Sequence, residues 1–235
     1  MDIGAVTLGL TMNNHLSASI EDYLKAIYGL TREQDRASTN EIAEQMGVTP
    51  ASATGMIQRL AVMTPSLVDY QKHRGVSLTP EGELTALEVI RHHRLLEAFL
   101  HEKLGYAWDE VHNEADRLEH VISEEMEERI CQVLGDPSFD PHGDPIPTRE
   151  FQMPDRSSSR MSELRPGDRA TIQRISDADP DLLHYLSSIG LTLNSRVTVL
   201  AASPLDGNLH LEIGEKGTSF VLGERITRQI FVQPE

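Results

Sequence analysis

The first helical pattern in the chain is set by Ile20, Leu24, Ile27 and Tyr28, which share one face of a helix that Ser17 or Ser19 can cap. In "STNEIAEQMGVTPASATGMIQRL" the same period predicts two short helices. Ser38 or Thr39 caps one carrying Ile42, Ala43 and Met46, and Gly47 ends it. Pro50 opens the other at a first-turn position, where its missing N–H costs nothing, and the pattern runs through Leu60. "LVDYQKHRGVSLT" alternates with period two and predicts a hairpin turning near His73–Gly75. A long helix follows from Pro80, with Leu84, Leu87, Ile90, Leu95 and Phe99. "AWDEVHNEADRLEHVISEEMEERICQVLG" predicts a second long helix, unbroken until Gly135. A Pro-, Asp- and Ser-rich extended stretch leads to a β pattern from Met161. There "RVTVLAAS", "NLHLEIG", "GTSFVLG" and "ITRQIFVQ" alternate between Gly, Asn and Asp breaks, a small barrel of five or so strands.

The expected class is therefore mainly α with a small β domain. The expected division is a DNA-binding domain over residues 1–84, a helical metal-binding and dimerisation domain over 85–152, a linker over 153–161 and the β domain over 162–235. The first dozen residues read as a loosely ordered tail. No internal repeat is evident.

Helix, tight glycine turn, helix and hairpin make a winged helix-turn-helix. The side chains expected to face outward on its second helix, Ala51, Ser52, Thr54, Gly55, Gln58 and Arg59, are short or polar and suit close approach in a major groove. Ser38, Thr39, Thr49 and Pro50, at the two helix starts, join them as candidate DNA contacts. Lys72, His73 and Arg74 at the wing tip suit phosphates. The two long, partly apolar helices that follow are material for a dimer interface. The expected partners are a double-stranded DNA operator and a second copy of the chain.

Charge first argues against this, because the 235 residues carry a net charge of −16. Its distribution changes the picture. Residues 1–84 hold six basic and ten acidic side chains, residues 85–152 six and sixteen, and residues 153–235 nine and eleven. The acidity is concentrated in the middle, and clustered carboxylates have a natural counter-ion in a divalent metal. The lone Cys131 excludes an intrachain disulfide and a Cys-based zinc site, which fits a reducing cytoplasm. No apolar run is long enough for a membrane span and no secretory signal is visible, so a cytoplasmic protein is expected.

The middle segment carries the chemistry. On a helix, His112, Asp116, Glu119 and His120 fall near about 0°, 40°, −20° and 80°, beside an apolar stripe of Val111, Ala115, Leu118 and Ile122. Singly, each such residue reads as part of a solvated face. Four together, two of them imidazoles, read as half of a metal cage. His93 and Glu97 stand one turn apart on the preceding helix. Asp140 and His142 are two apart in the extended stretch, where both can turn to one ion. Asp22, one turn into the first helix, reads alone as a carboxylate stabilised by the helix dipole. Carboxylate and imidazole donors without sulfur suit Mn(II) or Fe(II), and Zn, Co or Ni bind such sets more tightly.

"SIEDYLKAIYGL", "EIAEQMGVTPASATGMIQRL", "YQKHRGVSLTPEGE", "RHHRLLEAFL", "EVHNEADRLEHVISEEMEERI" and "PHGDPIP" together carry a resemblance. Over residues 17–150 the chain resembles the diphtheria-toxin-repressor family of metal-dependent transcriptional regulators, its manganese-responsive branch most. The β segment resembles the SH3-like domain appended to many members. The resemblance implies Mn(2+), or Fe(2+), at two sites per subunit. It implies a regulatory site on Asp22, Asp116, Glu119 and His120, with His93 nearby, and a second site on His93, Glu97 and His112. In some members a loop pair and a barrel carboxylate complete the second site. Asp140 and His142 match the pair, and Asp177, Asp179 or Asp181 could supply the carboxylate. Asp22 and Asp116 stand where some iron-responsive members have Met and Cys. Lys25 stands where members with a two-manganese regulatory site have Glu. Metal is then expected to tie the DNA-binding domain to the dimerisation helices and to control genes of metal uptake or homeostasis.

Two other classes compete. A non-haem metal hydrolase or oxygenase is disfavoured, since di-iron bundles need Glu-x-x-His and here Glu119 directly precedes His120. A regulator sensing an organic ligand would leave the same carboxylates solvated.

Overall fold

The computed structural model describes residues 16–32, 34–154, 159–177, 179–214 and 217–235. The tail expectation for the first dozen residues lies outside them. The chain separates into two compact units, one ending at Ala86 and one beginning at Leu87.

The first unit holds helices α1 (Ala18–Thr31), α2 (Thr39–Gln45) and α3 (Pro50–Ala61), strands β1 (Val68–Gln71) and β2 (Gly75–Leu78), and the start of α4 (Pro80–Leu104). Local chemistry accounts for the boundaries. Ser38 caps α2 through a capping box, accepting from the Glu41 N–H while the Glu41 carboxylate accepts from the Ser38 N–H at 2.7 Å. Thr49 caps α3, its hydroxyl accepting from the Ser52 N–H, with Pro50 next at the first helical position. Ser17 precedes α1, yet its side chain makes no capping bond. Leu24, Ile27, Ile42, Ala53, Ile57 and Leu60 close a fully buried core with Val76 of the hairpin. β1 and β2 pair antiparallel from Val68↔Leu78 to Gln71↔Gly75, with His73 at φ 67° in the turn. Gly82 sits where α4 passes Leu67, and a Cβ there would lie 1.9 Å from the Leu67 carbonyl oxygen.

The second unit takes up the rest of α4, then α5 (Val111–Leu118) and α6 (Glu124–Leu134). Here the expectation of one unbroken helix to Gly135 is corrected. The helix stops at Leu118 because Ser123 starts a new one, its hydroxyl accepting from the Met126 N–H, with Glu124, Glu125 and Glu127 in the first turn. Leu95, Leu96, Val111, Ala115 and Ile130 form this half's core.

Strands β3 (Ser159–Arg160), β4 (Arg169–Ile175), β5 (Arg196–Ala202), β6 (Leu209–Ile213), β7 (Thr218–Leu222) and β8 (Ile230–Pro234) form one antiparallel sheet in the order β3-β8-β4-β5-β6-β7. Ser159 and Arg160, expected in the linker, thus pair with β8. Register shifts between Ile172 and Arg174 and between Val199 and Ala201 bend the sheet around Met161, Ile172, Leu183, Leu186 and Leu211. Two helices belong to it, α7 (Pro180–Ser188) and the short α8 (Glu224–Thr227). The sequence reading missed α7. Asp179 caps it, accepting from Asp181 and Leu182 N–H groups, and its Leu182, Leu183 and Leu186 are buried.

Candidate metal centre and nucleic-acid interface

In the second unit four elements deliver ionisable side chains to one buried place. α4 presents His93 and Glu97, one turn apart and both buried. α5 presents His112 and Asp116, and Glu119 and His120 follow its end. The loop before β3 adds Asp140 and His142, and the turn after β4 adds Asp177.

Glu97 is the hub. Its Oε1 lies 3.0 Å from His93 Nε2 and 3.2 Å from His112 Nδ1. His112 Nδ1 is also 3.4 Å from Asp177 Oδ2. On its other side, Glu97 Oε2 faces His142 Nδ1 at 3.5 Å. His93 turns Nδ1 the opposite way, onto the Glu119 carboxylate and to within 3.3 Å of Asp116 Oδ1. His120 Nε2 stands 3.4 Å from Glu119 Oε1.

The loop ligands are held from both sides. Asp140 Oδ1 accepts from the N–H groups of His142 and Asp144 at 2.8 and 2.9 Å. His142 Nε2 donates to the Trp108 carbonyl at 2.7 Å, and its ring stacks on the Trp108 indole. Arg94 donates to the Pro145 carbonyl and to Asp144, and Arg174 donates to Asp144 as well. Gly143 is at φ 88°, and a Cβ there would lie 2.1 Å from the Gln173 carbonyl oxygen, so only glycine lets the loop approach β4 this closely.

Electrostatics follow from this crowding. Burial pushes Glu97 up, but His93, His112 and His142 outweigh it and hold the carboxyl well below its usual range. Burial lowers His93, while Glu97, Asp116 and Glu119 carry it well above the ordinary imidazole value. Asp177 and Glu97 raise His112 to about 9. Burial opposes the same rise in His142, and Glu97 and Asp140 still take it to about 9. Burial, with Asp144 and Glu97 nearby, pushes Asp140 up to about 8.

Glu97 Oε2, Asp140 Oδ2 and His142 Nδ1 are buried and make no close hydrogen bond among the described residues; only the ion-pair contact between Glu97 and His142 at 3.5 Å and that of Arg94 with Asp140 at 3.7 Å reach them. All three are metal-donor atoms pointing into one space. A buried polar atom left unpaired is costly, and a divalent cation satisfies three such atoms at once. The donor set therefore fits a metal ion.

The sequence-selected residues fall as follows. His93, Glu97, His112 and Asp177 converge, as do Glu97, Asp140 and His142, and His93, Asp116 and Glu119. Of the three barrel carboxylates only Asp177 reaches this place; Asp179 caps α7 and Asp181 is exposed in its first turn. Asp22 is half-buried on α1 in the first unit. Arg94, Trp108 and Asp144, which hold the loop, were missed. Only the run "DPHGDP" hinted at that role, through its turn residues.

In the first unit Thr49, Pro50, Ala51, Ser52, Gly55, Gln58 and Arg59 are exposed along one side of α3, and Lys72, His73 and Arg74 at the wing tip. Ser38 is exposed and Thr39 half-buried at the start of α2. Thr54 is half-buried and donates its hydroxyl to the Pro50 carbonyl, leaving its oxygen as an acceptor.

A winged helix-turn-helix in one chain with a buried imidazole–carboxylate cage defines the class: a metal-dependent DNA-binding regulator. The comparisons agree. Residues 15–76 match the N-terminal DNA-binding domain of the iron-dependent repressors, residues 79–148 their metal-binding and dimerisation domain, and residues 160–234 the FeoA domain. The iron-dependent repressor IdeR of Mycobacterium leprae is 36% identical over 79% of this chain and 85% of its own length. The diphtheria toxin repressor of Corynebacterium diphtheriae is 30% identical over 91% and 96%. A solved manganese-dependent transcriptional repressor in complex with manganese is 43% identical, with a TM-score of 0.84 over 91% of this chain and 98% of its own. The chain belongs to the iron-dependent repressor, or diphtheria-toxin-repressor, family. It is a transcriptional regulator and not an enzyme, which removes the hydrolase and oxygenase reading. Among the described residues no helix is long and apolar enough to cross a membrane.

Proposed function

We propose that this regulator is a homodimeric, cytoplasmic repressor activated by Mn(II), with Fe(II) as the next best ion, and that it controls genes of metal uptake or homeostasis. The observation that carries the ion is the donor set. Oxygen and imidazole nitrogen surround the cage, and the only thiol, Cys131, donates to Asp136 instead. The 43%-identical manganese-dependent repressor supports Mn(II); the curated relatives named for iron keep Fe(II) in view.

In this reading Asp22, Asp116, Glu119 and His120 hold the regulatory ion, and His93, Glu97, His112, Asp140, His142 and Asp177 the second centre. The ion supplies positive charge where carboxylates otherwise repel. Asp22 is the ligand contributed by the DNA-binding domain, so metal occupancy biases the placing of α3 in the dimer, and two copies of α3 meet one DNA turn or a multiple of it. Gln58 and Thr54 read base edges; Lys72, His73 and Arg74 hold phosphates.

The test is a set of metal-activation curves for DNA binding, read by fluorescence polarisation on an operator selected from a genomic library. Chelator weakens specific binding at least about tenfold, or about 1.4 kcal/mol. Equal affinity with and without metal sinks the proposal. Asp22→Ala should abolish activation while Mn(II) still binds the second centre; normal Mn(II) activation of that variant refutes the tie between domains.

A further inference from the structure

We propose that the second centre is dinuclear, with Glu97 bridging two divalent cations through its two oxygens. This rests on the metal-dependent reading above and adds one ion per chain to it.

The donor atoms divide into two sets. His93, Glu97, His112 and Asp177 offer one donor atom each within 4.8 Å of one another, and so do Glu97, Asp140 and His142. Glu97 is the residue common to both. Around one six-coordinate ion with bonds of about 2.1 Å, neighbouring donors stand about 3 Å apart and opposite donors about 4.2 Å. Each set gathers within 4.8 Å on its own, a little wider than that span, and would close on an ion by a small shift. Glu97 Oε1 serves the first, at 3.0 Å from His93 Nε2 and 3.2 Å from His112 Nδ1. Glu97 Oε2 serves the other, facing His142 Nδ1 at 3.5 Å. A carboxylate used this way holds two metals about 3.5–4 Å apart, the spacing of two-metal sites generally.

The Oε2 side shows the independent sign of an ion. Glu97 Oε2, Asp140 Oδ2 and His142 Nδ1 are all buried and make no close hydrogen bond among the described residues: the first and last face each other at 3.5 Å, and Arg94 Nε stands 3.7 Å from Asp140 Oδ2. The His142 ring is fixed for ligation, because its Nε2 meets the Trp108 carbonyl at 2.7 Å. A carbonyl only accepts, so Nε2 keeps the proton of the neutral ring, and Nδ1 is the nitrogen that would give up its proton to bind a metal. Asp140 is divided in the same sense. Its Oδ1 is occupied by the N–H groups of His142 and Asp144, and only Oδ2 remains.

Charge sets the order of filling. Three carboxylates line the pair of positions, while Arg94 Nε stands 3.7 Å from Asp140 Oδ2. The position on the Oε1 side has four protein ligands and, among the described residues, no arginine or lysine paired with them, so it fills first. The Oε2 side, with three ligands and Arg94 nearby, fills second and more weakly.

The experiment uses the full chain and Mn(II) alone, counting ions by equilibrium dialysis with elemental analysis and recording electron paramagnetic resonance at each filling step. Asp140→Asn is the sharp variant. It keeps an oxygen for the loop amides and replaces the ligating oxygen with an amide nitrogen. The wild type should saturate at three ions per chain, with a broadened, exchange-coupled signal as the last ion enters. Asp140→Asn and His142→Gln should each stop at two and show no coupled signal. Asp177→Asn should weaken the first ion of this centre instead. A wild type that saturates at two, with Asp140→Asn and Asp177→Asn weakening the same ion, overturns the dinuclear centre and leaves the proposed function standing. A wild type that binds no Mn(II) overturns both.

Discussion

The two units place their polar chemistry in opposite locations. In the first, the described buried residues of the core are apolar, and the polar groups proposed to meet DNA are exposed on α3 and at the wing tip. In the second, Arg91, His92, His93, Glu97, Glu119, Glu127, Asp140, His142 and Asp144 are all buried. Burying one such group costs several kcal/mol unless it is paired or coordinated. The lesson is a division of labour. A reading head can be stabilised by ordinary packing, because its chemistry needs only a fixed surface. A sensor must carry its charges inside, in an arrangement whose energy changes when an ion arrives.

Glu97→Ala should break that contrast most severely. The side chain is fully buried and faces three imidazoles. Its loss should destabilise the metal-free protein by about 3 kcal/mol, the lower end for a broken buried pair because imidazoles can shed their protons. Arg59→Ala, exposed on α3, should change stability by no more than about 0.5 kcal/mol while weakening DNA binding. Urea denaturation of both variants measures the pair. Equal effects would mean that the second unit is not specially dependent on its buried charge.

Acidity should sharpen the contrast to an intermediate degree. In the metal-free protein His112 and His142 titrate at about 9, against about 6.5 in an unfolded chain. Their charged forms stabilise the fold fully below about pH 6.5, and that contribution is lost as pH rises through 9. Melting temperature without metal should therefore fall across this window. Mn(II) affinity should rise over the same window, by up to about tenfold per pH unit for each proton that ligation displaces. Calorimetry in buffers of different ionisation enthalpy counts those protons. An affinity independent of pH would remove the imidazoles from the coordination shell.

The smallest effect belongs to the wing. Arg74→Ala should weaken specific and random DNA alike by a few-fold and lower the salt slope by about one. Gln58→Ala should instead relax sequence preference and leave the slope in place. A change of preference from Arg74→Ala would make the wing a base reader.

How far the sequence could be read also differs between the units. In the first, the signals are local and agree with one another. Ser38 with Glu41, Thr49 with Pro50, and the turn at His73 to Gly75 each specify an element within a few residues. The second unit depends on contacts distant in sequence. Nothing near Asp177 says that it meets His112, and Asp179 and Asp181 looked equally suitable until α7 claimed them as cap and first turn. His92, beside His93 in the sequence, is expected to point about 100° away from it on a helix. That direction is right, yet the ring is buried, its Nε2 3.1 Å from the Glu127 carboxylate. The break between α5 and α6 was hidden by an uninterrupted apolar period, although Ser123 before three glutamates in the next turn is a capping signal.

That break has a geometric consequence. Within a regular helix consecutive side chains point about 100° apart and do not face each other. Glu119 closes α5 and His120 follows it into the turn, and there the two neighbours bring Nε2 and Oε1 to 3.4 Å. The interruption turns adjacent positions of the chain into the two jaws of a pincer, set at the joint between helices.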